Sequence, residues 1–248
     1  MITRIEFQGQ NYTIDLSRPI DISIPLRGGF HNPAAWYLSP PEISPVVMDN
    51  FVGSVKEGFS TNFNTIVFNP HAHGTHTECI GHITKDFHAI GDTLKQFHFD
   101  CELITIEPTE HQDDLVITRA QLSEALSGKR PTAVILRTLP NDMDKLTRQY
   151  SHTNPAYLLE EAALFLRQIG VKHLLIDLPS IDKEKDGGAL LAHKAFWDFQ
   201  GAQRLDATIT EFIFVPNHIP DNTYFLNLQI VSFVNDASPS KPVLYKLL

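Results

Sequence analysis

The sequence predicts an α/β fold in one domain, built on a mixed sheet. Three observations carry this. β-Branched and continuous apolar runs recur from end to end, and strand-like segments outnumber helical ones. From Cys101 onward, strands and helices alternate, the pattern of parallel strands joined by helical crossovers. No internal repeat, low-complexity tract or linker-like stretch divides the 248 residues, a length that can bury one sizeable core.

The elements follow in order. Residues 1–7 and 10–16 are short alternating runs joined through Gly9, like a hairpin. Residues 21–26 alternate and run into the Gly28-Gly29 turn. Between His31 and Asp49, Pro33, Pro40, Pro41 and Pro45 predict an extended irregular loop displaying Trp36 and Tyr37. Residues 64–68 read as a strand leading into a histidine cluster, and residues 101–106 as another. Residues 118–126 have a helical period, with Thr118 as N-cap and Gln121 completing a capping box. Residues 133–137 are a continuous apolar run, a buried strand. Asn154-Pro155 is expected to open a helix over 156–169 that Gly170 closes. Then come a buried strand at 173–177, a helix over 188–203 broken near Gly201, and a strand at 208–215. A further apolar stretch at 225–233 and a terminal strand at 243–248 complete the chain.

Composition narrows the function. Net charge is −9, from 29 acids against 20 bases, with no basic run, so a nucleic-acid backbone is not an expected partner. No apolar run approaches the roughly 18 residues of a membrane span. The first residues lack the basic-then-apolar layout of a signal peptide. Cys79 and Cys101 cannot form a disulfide framework and suit a reducing cytoplasm. The 12 histidines are many for this length and are unevenly spread.

Residues 69–82, Asn-Pro-His-Ala-His-Gly-Thr-His-Thr-Glu-Cys-Ile-Gly-His, hold His71, His73, His76, Glu78 and His82. Imidazole and carboxylate are the donors that zinc and manganese accept. In an extended chain His76 and Glu78 point to one face, and Thr75 and Thr77 to the other. His71 and His73 share a face out of phase with His76, and a bulge at Gly74 resets that phase. Buried without partners these groups would be costly, so the segment is either a solvated loop or a metal site. Two remote groups suit such a site: His193 on a helix among apolar neighbours, and Glu211, a lone carboxylate inside an apolar strand.

Gly74-Thr75-His76-x-Glu78-x-x-x-His82 resembles the His-x-Gly-Thr-His-x-Asp-x-Pro-x-His signature of the cyclase-like metal-dependent hydrolases, which include kynurenine formamidase (arylformamidase) and isatin hydrolase. The resemblance extends to Asp15-Leu-Ser, residues 21–26, Ile135-Leu-Arg-Thr138 and residues 170–182, ending in Asp177-Leu-Pro-Ser180-Ile-Asp182. It implies a three-layer β/β/α fold and a homo-oligomer, dimer or tetramer. It also implies one or two divalent ions, zinc first and manganese second. His76 and Glu78 match first-sphere ligands, and Glu78 stands where the family has an Asp that can bridge two metals. His193 and Glu211 match the remote pair on the second metal, and His82 matches a proton-transferring histidine. Ala72 occupies the place of the family's first histidine, so His71 or His73 must replace it; a bulge favours His71. Ile80 stands where the family has Pro.

The expected activity is hydrolysis of an amide C–N bond in a small molecule, arylformamidase-like, with Trp36, Tyr37, Phe59 and Phe63 available to wall an aromatic substrate. A lactam or ester hydrolase, or a cyclase using the same site, is the nearest rival. A thiol enzyme pairing Cys79 with His82 is disfavoured, because Cys79 points away from the face of Glu78. From another class, a non-catalytic metal-binding scaffold would bind metal without turnover.

Overall fold

The computed structural model describes every residue except Gln8. Its centre is a closed sheet. The strands His98–Ile106, Ala133–Thr138, His173–Ile176 and Thr208–Glu211 run parallel in that order. The antiparallel strands His76–Glu78, Ala237–Lys246 and Asn222–Ile230 continue the sheet, and the last pairs back onto His98–Ile106 to close a barrel. Ile20–Asp21 adds a short edge strand to Ala237–Lys246. The mixed sheet and the few helices match the fold class read from the chain.

Side-chain alternation builds two cores from these strands. Val134, Leu136, Leu174, Ile176 and Ile209 point outward against Leu122, Leu126, Ala162, Leu166, Phe196 and Trp197 of the helices Arg119–Leu126, Glu160–Gln168 and Leu191–Trp197. Ala133, Ile135, Leu175, Tyr224, Leu226 and Leu244 point inward and fill the barrel. Being apolar on both faces is why residues 133–136 form an unbroken hydrophobic run. Outside the barrel lie the N-terminal hairpin, Ile2–Phe7 with Gln10–Asp15, and a ribbon pairing Glu42–Pro45 with Asn64–Val67. The span 31–49 is therefore less irregular than its prolines suggest.

Several elements differ from the sequence expectation. The capping box at Thr118 and Gln121 is present. The helix expected over 156–169 spans only Glu160–Gln168, with Gly170 beyond its end in the left-handed region. Tyr157–Leu158 instead pairs in parallel with Asp114–Ile117, because burying Leu158 there outweighs the helix-opening preference of Pro155. The helix expected over 188–203 is Leu191–Trp197, since Asp198 turns left-handed and its carboxylate accepts the Ala202 N–H. The strand expected over 208–215 ends at Glu211, where Phe212 has φ 55°. Beyond that kink the Ile213 N–H still donates to the Ile176 carbonyl, and the Phe214 N–H turns to the Ile22 carbonyl.

Candidate metal centre

The strand His76–Glu78 is buried throughout, between Thr208–Glu211 and Ala237–Lys246. Register sets its faces. Glu211 lies opposite His76 and Ile209 opposite Glu78, so His76, Glu78 and Glu211 share the helix-covered face. Thr77 and Thr210 hydrogen-bond at 2.8 Å on the other. Thr75 locks the approach, its hydroxyl donating to the Phe212 carbonyl at 2.5 Å and accepting the Ile24 N–H at 2.7 Å.

Glu78 is the hub. Its Oε1 lies 3.0 Å from His193 Nε2, and its Oε2 lies 3.0 Å from His71 Nδ1 and 3.9 Å from both His76 Nε2 and His82 Nε2. Glu211 reaches His76 Nε2 at 3.5 Å and His193 Nε2 at 3.8 Å, and its Oε1 also accepts the Ile181 N–H. His71, His76, Glu78, His193 and Glu211, named from the sequence as metal ligands, thus lie side by side, with His82 at their margin.

Each inner histidine is held through its far nitrogen. His76 Nδ1 pairs with the Gly74 carbonyl at 3.0 Å, His193 Nδ1 with Asp182 at 2.6 Å, and His71 Nε2 with Asp236 at 2.9 Å. A ring whose far N–H is spent on an acceptor turns its lone pair to the near side, the arrangement that orients metal-ligating histidines. Asp182 also caps the Leu191–Trp197 helix, accepting the N–H groups of Ala192 and His193.

Charge follows from this packing. Burial opposes protonation of His193, but Asp182 and Glu78 outweigh it and push its pKa up to about 10. His71 is raised likewise, to about 10, by Asp236 and Glu78 against burial. Burial alone would raise Glu78, yet His82, His193 and His71 hold it well below the ordinary carboxylate range.

The residues fit a divalent ion. Two donors each about 2.0–2.2 Å from one ion lie roughly 3–3.5 Å apart, close to the separations around Glu78. Three donor groups are close enough to share an ion: His71, His76 and Glu78; Glu78, His82 and His193; and His71, His82 and Asp236. Among the described residues, His76 Nε2 and Glu78 Oε2 are buried without a well-aligned hydrogen-bond partner, a cost that a cation would remove.

His73 does not join them. Its Nδ1 accepts the Asn69 N–H at 2.9 Å, and its ring lines a different cavity, of about 220 Å³, with Phe68, Pro239 and Ser240. The expected bulge at Gly74 is absent, because residues 71–74 are turn and bend and the strand begins at His76. Asn69 makes that turn, its side chain accepting the His71 N–H and its carbonyl the Ala72 N–H. Cys79 is buried on the opposite face with its thiol donating to the His88 carbonyl, and burial raises its pKa.

The expected aromatic wall is only partly assembled. Trp36 donates to the His71 carbonyl and shares a small cleft with Tyr150, Pro179, Ser180 and Asp182. The Tyr37 hydroxyl donates to Glu184. Phe59 packs on Phe51 and Phe63 is exposed, because both follow the outlying ribbon, and neither walls that cleft.

The sequence by itself assigns no role to two residues of the site. Asp182 closes the Ser180-Ile-Asp182 run that marked the resemblance. Asp236 lies in a loop of ordinary composition and carries no sequence signal.

Residues 14–183 match the family model described as "Putative cyclase". The chain belongs to the cyclase family. A search of curated proteins finds no match. Solved structures share the fold of this cyclase-family chain. One titled a potential metal-dependent hydrolase with cyclase activity is 18% identical, with a TM-score of 0.66 over 92% of this chain and 97% of that one. A predicted metal-dependent hydrolase from Bacillus stearothermophilus is 18% identical, at 0.64 over 92% and 98%. An isatin hydrolase bound to the product analogue thioisatinate is 16% identical, at 0.65 over 93% of each chain.

Proposed function

We propose that this cyclase-family chain is a metal-dependent hydrolase that cleaves an amide C–N bond in a small molecule, with an aryl formamide as the first substrate class to test. One observation carries the reading. Three imidazoles, each pinned through its far nitrogen, turn their near nitrogens toward one buried carboxylate that keeps an orphan oxygen. His71, His76, Glu78, His193 and Glu211 would hold one or two divalent ions, zinc before manganese. When bound, such an ion lowers the pKa of water towards about 7 and polarises a carbonyl oxygen.

The chain's own groups supply the rest. His82, with its side chain 32% exposed, is the histidine of the cluster that solvent and substrate reach most readily. It would carry a proton to the leaving nitrogen. Trp36 beside His71 offers a flat apolar wall for an aromatic ring.

Hydrolysis of a lactam or ester, or the reverse cyclisation, is the second reading. It is supported by the fold shared with an isatin hydrolase, an enzyme named for a cyclic amide. Metal content is measured after purification without added metal, followed by turnover of N-formyl arylamines and of cyclic amides. Metal-dependent turnover of the formamides supports the first reading, and turnover of cyclic amides alone replaces it with the second. Bound metal without any turnover makes the protein a scaffold. Absence of bound Zn, Mn, Fe, Co and Ni, with no thermal shift from any of them, sinks both enzymatic readings.

The homo-oligomer and the cytoplasmic setting belong to the same proposal. No helix among the described residues is long and apolar enough to cross a membrane. Both cysteines are free thiols, as a reducing compartment favours. Ile43 and Ile66, paired across the ribbon, are both exposed, and Val47, Met48, Phe63 and Val67 of the same excursion are exposed as well, apolar surface suited to a second copy of the chain. Light scattering on the purified protein tests this, and a monomer at all concentrations removes it.

A further inference from the structure

Asp236 comes from the loop between the last two long strands, beyond residues 14–183 that match the family. It lies against the candidate site because the main chain holds it there. Its carbonyl accepts the Cys79 N–H at 3.0 Å, Ala237 pairs with Glu78, and the Asn235 carbonyl accepts the Ile90 N–H at 2.8 Å. Gly81 leaves the space: a Cβ there would lie 3.3 Å from Asp236 Cβ and 2.3 Å from the His88 carbonyl oxygen.

One oxygen of Asp236 meets two histidines. Its Oδ2 lies 2.9 Å from His71 Nε2 and 3.4 Å from His82 Nδ1, and the two rings stack at 4.3 Å with 27° between their planes. A neutral imidazole has one N–H and one lone pair. An ion beside Glu78 would take the lone pair of His71 Nδ1, which leaves the His71 N–H on Asp236, and His82 places its N–H on the nearer carboxylate, again Asp236, at 3.4 Å against 3.9 Å to Glu78. The other nitrogens, His71 Nδ1 and His82 Nε2, then turn their lone pairs toward Glu78, at 3.0 and 3.9 Å.

We infer that Asp236 is a positioning residue that, through this one oxygen, sets both the metal-facing nitrogen of His71 and the site-facing nitrogen of His82. The metal part of this inference rests on the hydrolase reading. The bridge aligns the ion's donor and the proton carrier together. It leaves His82 with a free lone pair at Nε2, able to take a proton first and release it afterwards. On this reading Asp236 acts through the two rings rather than as a ligand, although His71, His82 and Asp236 also lie close enough to share an ion.

The test uses the full chain loaded with Zn²⁺, as wild type, Asp236→Asn and Asp236→Ala. Zinc affinity is read by chelator competition, and the His82 tautomer by long-range ¹H–¹⁵N correlation. In wild type His82 carries its proton on Nδ1. Asp236→Asn, which retains an acceptor oxygen, stays near wild type in both measurements. Asp236→Ala loses roughly 10- to 100-fold in zinc affinity, its His82 shifts toward the Nε2–H form, and kcat falls with KM little changed.

An Asp236→Ala protein with wild-type affinity and an unshifted tautomer overturns the inference. So does one in which only one of the two changes, because a single bridge must move both. A zinc ion lost equally from both variants makes Asp236 a ligand, which also overturns it. Should Asp236→Ala fail to fold, Asp236→Asn decides, and a His82 proton moved to Nε2 in that variant refutes the bridge. Wild-type protein that takes up no zinc sinks the hydrolase reading instead. The His82 tautomers of the metal-free chains are then compared in the same way, and they decide the His82 half on their own.

Discussion

At the scale of single residues, the histidines divide by where each ring turns its free nitrogen. His71 faces Glu78, whereas His73 spends Nδ1 on the Asn69 N–H outside the cluster. His71→Ala is expected to lose zinc affinity by about tenfold or more, while His73→Ala stays near wild type; chelator competition checks both, and the reverse order would move the ligand to His73. His82 sits exposed at the margin, among groups that already offer five donors. His82→Ala should therefore keep its metal and its melting temperature and lose turnover by roughly a hundredfold, the scale of general acid–base work. Loss of metal would make it a ligand, and unchanged turnover a bystander. Protons compete with metal at this site. His71 and His193, raised from 6.5 to about 10, stabilise the fold fully below about pH 6.5, and that contribution is lost as pH rises through about 10. Glu78, held low, stabilises above the ordinary carboxylate pKa, and its share is lost as pH falls. An ion needs the imidazoles neutral, so the rise in Tm on adding zinc should be larger at pH 8.5 than at pH 6.5; an equal rise at both would refute proton competition.

At the scale of elements, short turns do the positioning. The Ile80–His82 turn lifts His82 off the strand after Glu78 and brings the Asp236 loop against it. The position that a Gly81 side chain would occupy is taken by main chain at His88, which cannot give cheaply. Gly81→Ala is expected to destabilise by about 1–3 kcal/mol and to lower turnover through His82 more than metal content, which urea unfolding and metal analysis read separately. A neutral outcome in unfolding would mean that the two loops move freely. Helix Leu191–Trp197 works on the same principle. Asp182 caps it and holds His193 Nδ1, so one carboxylate starts the helix and aims the ring.

At the scale of the whole molecule, closure of the barrel gathers groups far apart in the chain around the His76–Glu78 strand. Another buried polar junction lies where the parallel strands end. Lys145 Nζ donates to Asp177 at 2.8 Å and to the Thr138 carbonyl and hydroxyl, and Asp177 also accepts the Thr138 N–H and hydroxyl. Both charges are fully enclosed, and burial raises the Asp177 pKa despite the lysine. Removing one partner leaves a buried charge without compensation. Lys145→Met should cost about 3–5 kcal/mol, and Lys145→Met with Asp177→Leu should recover most of it. Denaturant unfolding of the two variants checks this; equal losses in both would show that shape at the junction, and not charge, matters.

What the chain determined by itself is local. Continuous apolar runs marked the barrel strands, the Thr118–Gln121 spacing marked a capped helix, and the two-residue step from His76 to Glu78 set them on one face with Cys79 on the other. Each depends on neighbours a few residues apart, so periodicity alone carries it. His193 and Glu211 were legible because a lone polar group in an apolar segment is costly unless something meets it. What only the tertiary structure decided is which groups meet. The choice between His71 and His73 turned on an Asn69 turn where the chain suggested a bulged strand. The Thr208–Glu211 strand stops at Phe212, whose φ of 55° kinks the chain before Phe214 reaches Ile22. Lys145 was unmarked, since it lies in the turn Met143–Leu146 and its partner Asp177 follows the end of a strand remote in the chain. Asp236 was invisible for the same reason. A carboxylate in a loop acquires a role only through the register that lays its loop beside Glu78, and register is a property of strand pairs that no single segment encodes.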